Sequence, residues 1–289
     1  MMEQRSVSTA GLKWMKQQQQ AIAVLTSYDY PSAKLAEEAG VDVILVGDSL
    51  GMVVLGYDST IPVTIDDMVH HTKAVTRAAE RAFVVADLPF ASYHGSTDTT
   101  LKNAARLLQE GRAKAVKMEG GREILESVHA CIRAGIPVMG HLGLTPQAVH
   151  QIGGYKIQGK DVQQAQKLLD DALALEQAGA FAIVLELVPE TLATYISERL
   201  SIPTIGIGAG RGCDGQVLVF HDLLQYGSTI AAKFVKKYAD VGQTMRSAIE
   251  TYVAEVKERK FPDESHRFEM DEQIVRQLYG NGGARREDL

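Results

Sequence analysis

Eight short apolar runs, each followed by a longer stretch of mixed polarity, constrain this chain more than any other feature. The runs are Ile22–Thr26, Val43–Gly47, Phe83–Ala86, Ala115–Met118, Pro137–Gly140, Ala182–Leu185, Pro203–Ile207 and Gln216–Phe220. They are rich in Val and Ile and nearly continuous in hydrophobicity, as strands buried on both faces must be. The stretches between them carry helix signals. Pro31–Ala39 and Pro189–Leu200 open on a proline suited to a first turn, Thr64–Ala79 opens with Thr64, Asp66 and Asp67, and Asp98–Gln109, Arg122–Ala134 and Asp161–Ala178 each run toward a glycine. The phrase Ala-Gly followed by an apolar strand recurs at Gly40, Gly135 and Gly179, where a left-handed residue turns a helix end into the next strand. No solenoid repeat and no long linker interrupts the alternation. Eight β-then-α units predict a parallel sheet closed into a (β/α)8 TIM barrel. The alternative, an open doubly wound sheet, calls for a GxGxxG after the first strand, and Thr26-Ser27-Tyr28-Asp29-Tyr30 has none.

The 289 residues would make two domains at about 150 each, but α/β barrels run to about 250 residues as one. The expectation is therefore a single barrel domain over residues 1–268. An N-terminal helix within Ser6–Gln18 should cap the barrel floor, and a C-terminal helix should cover Val241–Lys260. A charged, glycine-dotted tail at 269–289 is expected to be partly disordered.

The charge balance adds exclusions. Thirty basic against 36 acidic residues give a net charge of −6, which argues against nucleic acid as a partner. The longest apolar stretch, Val41–Tyr57, is broken by Asp42, Asp48 and Ser49, so no membrane span is expected. Glu3 and the run Gln17–Gln20 stand where a signal peptide would be apolar. Cys131 and Cys213 are far apart and outside any CxxC, which predicts free thiols in a reducing cytoplasm.

The chemistry lies in how the apolar runs end. The second leads into Gly47-Asp48-Ser49, the third into Asp87-Leu88-Pro89, the fourth reads Val116-Lys117-Met118-Glu119, the fifth ends Gly140-His141, and the sixth reads Val184-Leu185-Glu186-Leu187. A barrel gathers the C-terminal ends of its strands on one rim, where active sites sit. Asp48, Asp87, Lys117, Glu119, His141 and Glu186 should therefore converge, with Lys117 and Glu119 on one face of their strand. Each has a structural alternative: Asp48 as a helix cap, Asp87 as a turn residue, Lys117 with Glu119 as an ion pair, His141 as a core histidine bonded to backbone. Glu186, set among apolar neighbours, is costly to bury without a partner.

Three carboxylates with no thiol suit a hard dication such as Mg2+, which keeps waters and uses one or two carboxylates directly. The reading is Asp48 and Asp87 as direct ligands and Glu119 through a water. A 2-oxo acid could fill two open positions, and the cation would then stabilise an enolate at the adjacent carbon, with Lys117 neutralising remaining charge. Glu186 is left as the base, its basicity expected to rise by desolvation.

These residues lie in stretches that resemble the ketopantoate (3-methyl-2-oxobutanoate) hydroxymethyltransferase family. The likeness spans about Ser6–Phe268. It includes Val46-Gly47-Asp48-Ser49-Leu50-Gly51-Met52, Asp87-Leu88-Pro89-Phe90, Val116-Lys117-Met118-Glu119-Gly120-Gly121, Gly140-His141-Leu142-Gly143-Leu144-Thr145-Pro146-Gln147, Gly153-Gly154-Tyr155-Lys156-Ile157-Gln158-Gly159 and Ile205-Gly206-Ile207-Gly208-Ala209-Gly210. The resemblance implies transfer of a hydroxymethyl group from 5,10-methylenetetrahydrofolate to 3-methyl-2-oxobutanoate, giving 2-dehydropantoate and tetrahydrofolate on the way to pantothenate and coenzyme A. It implies magnesium on Asp48, Asp87 and Glu119, the oxo acid on Asp48, Ser49, Asp87 and Lys117, Glu186 as proton acceptor, and a homo-oligomer, typically a decamer; His141, by its place at the same rim, is read as a candidate support behind them. Ala91-Ser92-Tyr93-His94-Gly95-Ser96 departs from the family pattern and is expected to lie away from the site.

Three other readings compete. A magnesium-dependent C–C lyase or mutase of the phosphoenolpyruvate/isocitrate lyase type would carry a catalytic cysteine in a lysine-rich loop, which neither Cys131 nor Cys213 has. A Schiff-base aldolase would use Lys117. A non-catalytic barrel would have to gather its carboxylates without a cation.

Overall fold

The computed structural model describes residues 6–227 and 232–279. Eight parallel strands close into a barrel: β1 (Ile22–Thr26), β2 (Val43–Val46), β3 (Phe83–Asp87), β4 (Ala115–Glu119), β5 (Val138–Gly143), β6 (Ala182–Glu186), β7 (Thr204–Ile207) and β8 (Gly215–Leu218). They pair in sequence order, and β8 returns to β1 through Ile22↔Gly215 and Val24↔Val217. Before and between them run α1 (Thr9–Gln17), α2 (Tyr30–Glu38), α3 (Leu50–Val53), α4 (Ile65–Thr76), α5 (Thr97–Gln109), α6 (Leu125–Arg133), α7 (Val149–Ile152), α8 (Val162–Gln177), α9 (Glu190–Arg199) and α10 (Phe220–Leu224). All eight expected strands are present. Several run on past the last apolar residue to Asp87, Glu119 and Glu186, because ladder pairing is made by backbone and does not need an apolar side chain. The short helices α3, α7 and α10 were not expected, since four or five residues are too few to show a period.

Helix starts follow the expected chemistry. Thr64 and Asp67 form a reciprocal capping box on α4, and Asp29 and Ser32 form another on α2. Gly40, Gly135 and Gly179 all take positive φ at the turn into the next strand.

Side-chain alternation divides the core in two. Ile22, Val24, Val43, Leu45, Phe83, Val85, Ala115, Met139, Ala182, Val184, Ile205 and Val217 fill the barrel interior, with Leu12 and Met15 from α1 packed among them. Ile44, Val46, Val84, Ala86, Val116 and Met118 face outward against the helices. Each Val, Leu, Ile, Phe or Met among them contributes roughly 1.5–3 kcal/mol on burial. The expected floor cap is thus α1, tied further by Lys16 Nζ donating to Asp214 Oδ2 at 2.8 Å and to the Ser197 carbonyl at 2.8 Å. Inward parity also fixes the site. Counting by two, Phe83 and Val85 lead to Asp87, Ala115 to Lys117 and Glu119, Met139 to His141, and Ala182 and Val184 to Glu186.

The chain divides into two compact units at Ala239/Asp240. In the second unit α11 (Val241–Lys257) has no buried residue. A further helix, α12 (Glu272–Tyr279), stands within the tail expected to be partly disordered. The rest of that expectation, at 280–289, lies outside the described residues.

Candidate active site

The C-terminal ends of the strands surround a cavity of about 550 Å³. Asp48, Ser49, Asp87, Lys117, Glu119, His141 and Glu186 all line it, from five strands. Asp48, Asp87, Lys117, Glu119 and His141 are buried. Glu186 is the most open of the charged set, its side chain 14% exposed.

The contacts answer the structural alternatives. Asp48 caps no helix: α3 starts after Ser49, which makes no capping bond, and Asp48 Oδ2 instead accepts from Gln147 Nε2 at 2.8 Å. Asp87 Oδ2 accepts from the Asp48 amide at 3.0 Å, and its Oδ1 lies 2.9 Å from Lys117 Nζ. Lys117 is nearer Asp87 than Glu119, whose Oε1 is 4.0 Å away. His141 bonds no backbone. Its Nδ1 lies 3.3 Å from Glu119 Oε1 and its Nε2 lies 3.2 Å from Glu186 Oε2, so the ring bridges two carboxylates. The apolar setting expected for Glu186 is therefore interrupted by an imidazole at 3.2 Å. Tyr28 Oη lies 2.8 Å from Ser49 Oγ and fixes that hydroxyl at the cavity wall.

Asp48, Asp87, Glu119 and Glu186 stand close to Lys117 and His141 in this enclosure, and the proton affinities follow. Burial, with the neighbouring charges of Asp87 and Glu119, holds Asp48 well above the usual carboxylate range against Lys117 and Gln147. Burial also opposes charge on Glu119, but His141, Lys117 and the Gln147 amide outweigh it and keep this carboxylate low. Burial disfavours the Lys117 ammonium, yet Asp87, Glu119 and Asp48 hold it above its ordinary value. For His141, burial and Lys117 press downward, and contact with Glu119 and Glu186 lifts it to about 9.

The donor set fits a hard dication. Asp87 Oδ1 is buried and, despite Lys117 at 2.9 Å, makes no aligned hydrogen bond. Asp48 is short of positive neighbours. Glu119 turns Oε1 toward His141 and accepts the Gln147 amide on Oε2 at 3.0 Å. Among the described residues no three His, Cys, Asp or Glu side chains converge on one point.

Two participants were missed from sequence. Gln147 sits in the Pro146–Ala148 3-10 turn after β5 and touches both Asp48 and Glu119. Tyr93 is 1% exposed, and its hydroxyl accepts from the Glu119 amide at 3.0 Å and reaches Gln147 Oε1 at 2.8 Å. This corrects the expectation that Ala91–Ser96 lies away from the site. The stretch lacks an apolar or periodic signal, and only the folding back of its loop brings the ring inward.

A sequence profile of the family described as ketopantoate hydroxymethyltransferase matches residues 6–264. The 3-methyl-2-oxobutanoate hydroxymethyltransferase of Carboxydothermus hydrogenoformans is 60% identical over 273 residues, covering 94% of this chain and 99% of that protein. The protein of the same name from Bacillus thuringiensis is 59% identical over 266 residues, covering 92% and 95%. Among solved structures, 2,3-dimethylmalate lyase, a PEP mutase/isocitrate lyase superfamily member, superposes with a TM-score of 0.56 at 16% identity, covering 95% of this chain and 92% of that one. That likeness is one of fold alone.

Proposed function

The chain belongs to the ketopantoate hydroxymethyltransferase family, so it is a transferase that adds a hydroxymethyl group to 3-methyl-2-oxobutanoate, and we propose how its residues divide that work. Asp48 and Asp87 hold Mg2+, with Glu119 joining through a water. Asp48, Ser49, Asp87 and Lys117 hold the oxo acid. Glu186 removes the proton at C3, and 5,10-methylenetetrahydrofolate supplies the one-carbon unit. The product is 2-dehydropantoate, on the route to pantothenate and coenzyme A.

The observation that carries this reading is the shared cavity of six ionisable side chains from five strands. When bound, the cation supplies electron withdrawal from the ketone and so acidifies the neighbouring C–H. Lys117, held charged by its carboxylate neighbours, offsets negative charge that develops on the substrate oxygens. Glu186, the most exposed of these charged side chains, takes the C3 proton. His141, 3.2 Å from its Oε2, keeps that carboxylate oriented. Water releases the donor's one-carbon unit from both folate nitrogens as a formaldehyde-level carbonyl, leaving tetrahydrofolate; the electron-rich C3 then bonds to that carbon, and the carbonyl oxygen takes a proton to become the hydroxyl.

The competing readings lose ground on particular residues. A Schiff base needs a neutral amine, and Lys117 is pressed the other way. Cys131 lies buried in the outer core and Cys213 does not line the cavity, so neither serves a lyase of the phosphoenolpyruvate/isocitrate type. We also take the oligomer and the cytoplasm from the family likeness. Free Cys131 and Cys213 agree with a reducing compartment, and no helix among the described residues is long and apolar enough to cross a membrane.

Asp87→Asn tests the assignment, because one carboxylate is asked to serve both cation and oxo acid. Calorimetric titration should show both affinities reduced by at least about tenfold, and addition of methylenetetrahydrofolate should give little 2-dehydropantoate. Isotherms matching the wild type would remove Asp87 from both roles.

A further inference from the structure

The side-chain amide of Gln147 is 5% exposed and stands between the two parts of the acidic cluster. Its Nε2 donates to Asp48 Oδ2 at 2.8 Å and to the Leu88 carbonyl at 3.0 Å. Its own backbone N–H donates to Glu119 Oε2 at 3.0 Å. Its Oε1 accepts from Tyr93 Oη at 2.8 Å.

These partners leave the amide one orientation. One Nε2 hydrogen meets the Leu88 carbonyl, which can only accept, and the other meets Asp48, which accepts as the carboxylate that a cation requires, so exchanging nitrogen and oxygen would set an oxygen against both. Oε1 must therefore face Tyr93. The Tyr93 oxygen already accepts the Glu119 N–H at 3.0 Å, and its single hydrogen is drawn to Oε1, although the Glu119 carbonyl also lies 3.0 Å away. The hydroxyl order is thus set by the β4 backbone, the amide by the hydroxyl, and Asp48 by the amide. The bond to Gln147 occupies Asp48 Oδ2 and leaves Oδ1 as the oxygen with no hydrogen bond from the described residues.

We infer that Gln147, oriented by Tyr93, is a positioning residue that fixes which oxygen of Asp48 is presented to the cation and holds Glu119 in step with it. The inference rests on Asp48 and Asp87 being the cation's ligands. An outer partner of this kind typically changes metal affinity or activity by about 10- to 100-fold. Gln147 also ties the loop after β3 to the loop after β5 through Leu88, so a purely structural role must be told apart from a positioning one.

The test is calorimetric titration of the full chain with Mg2+ alone, beside its melting temperature in chelator. Gln147→Met keeps the volume and removes the donors, and should weaken Mg2+ binding by about 10- to 100-fold. At saturating Mg2+ the C3–H exchange rate of the oxo acid should recover to within a few fold, a split between affinity and turnover that a loosened fold would not give. Tyr93→Phe should weaken binding in the same direction but less. The double variant should be no weaker than Gln147→Met alone, because Tyr93 acts through the amide. Wild-type affinity in Gln147→Met overturns the inference, with or without a lower melting temperature. If Gln147→Met does not fold, Tyr93→Phe decides: a several-fold loss supports the inference and an unchanged isotherm overturns it. A wild type that gives no Mg2+ binding overturns the cation reading and this inference with it. Wild-type binding with unchanged variants overturns the part given to Gln147 alone.

Discussion

His141 shows how little one side chain means outside its surroundings. As a residue type at a strand end it could be a core histidine, a base or a ligand. Glu119 on one nitrogen and Glu186 on the other make it a cationic bridge. That has a pH consequence in cation-free protein. Its folded value, about 9, lies above the ordinary 6.5, so the stabilisation is full below about pH 6.5 and is lost as pH rises through about 9. A shift of that size amounts to roughly 3 kcal/mol in so enclosed a site. Melting temperatures in chelator should fall between pH 6.5 and 9, and His141→Gln should flatten that fall. An equal slope in both proteins would mean the imidazole is not held charged. The carboxylates and Lys117 were legible as a group because strand ends and two-residue parity are written in the sequence. Gln147 and Tyr93 were not, because their roles arise where loops from separate strands meet, and no spacing records that.

At the scale of elements, the strands were the most legible part, since burial on both faces leaves an apolar signature that helices of four or five residues cannot match. Close approach between neighbours was not legible, and β5 and β6 give the sharpest case. Gly143 pairs in register with Glu186 and has φ of +92°. A Cβ there would stand 2.2 Å from the Glu186 carbonyl oxygen and 2.7 Å from Val188 Cγ2. The absence of a side chain is what lets Leu144 N donate to that same carbonyl at 2.8 Å. Gly143→Ala should cost about 1–3 kcal/mol from the φ and the contact together. It should also shift the base enough to slow C3 exchange about 10- to 100-fold. Denaturant melts and exchange rates measure the two effects. Wild-type exchange in a destabilised Gly143→Ala would show that Glu186 tolerates displacement.

For the whole molecule, closure into a barrel followed from eight runs and a first turn without a dinucleotide fingerprint, and it is closure that makes distant acidic residues neighbours. In the second unit, α11 continues the helical pattern while burying nothing. Its Met245, Ile249, Tyr252, Val253 and Val256 are exposed at helical spacing, an apolar stripe that fits contact with another copy of the chain. Ile249→Glu with Tyr252→Glu should lower the mass seen by light scattering while the barrel's circular dichroism stays unchanged. An unaltered mass would place subunit contacts elsewhere.

The central claim is that buried carboxylates around a dication make the C–H beside a ketone acidic, with Glu186 receiving the proton. Proton NMR of 3-methyl-2-oxobutanoate in heavy water measures this directly. The account predicts loss of the C3 proton signal with wild-type protein and Mg2+. It predicts no enzyme-dependent loss with chelator, and a rate down by about 100-fold or more in Glu186→Gln even though the oxo acid still binds. Exchange at the wild-type rate in chelator, or in Glu186→Gln, would contradict it.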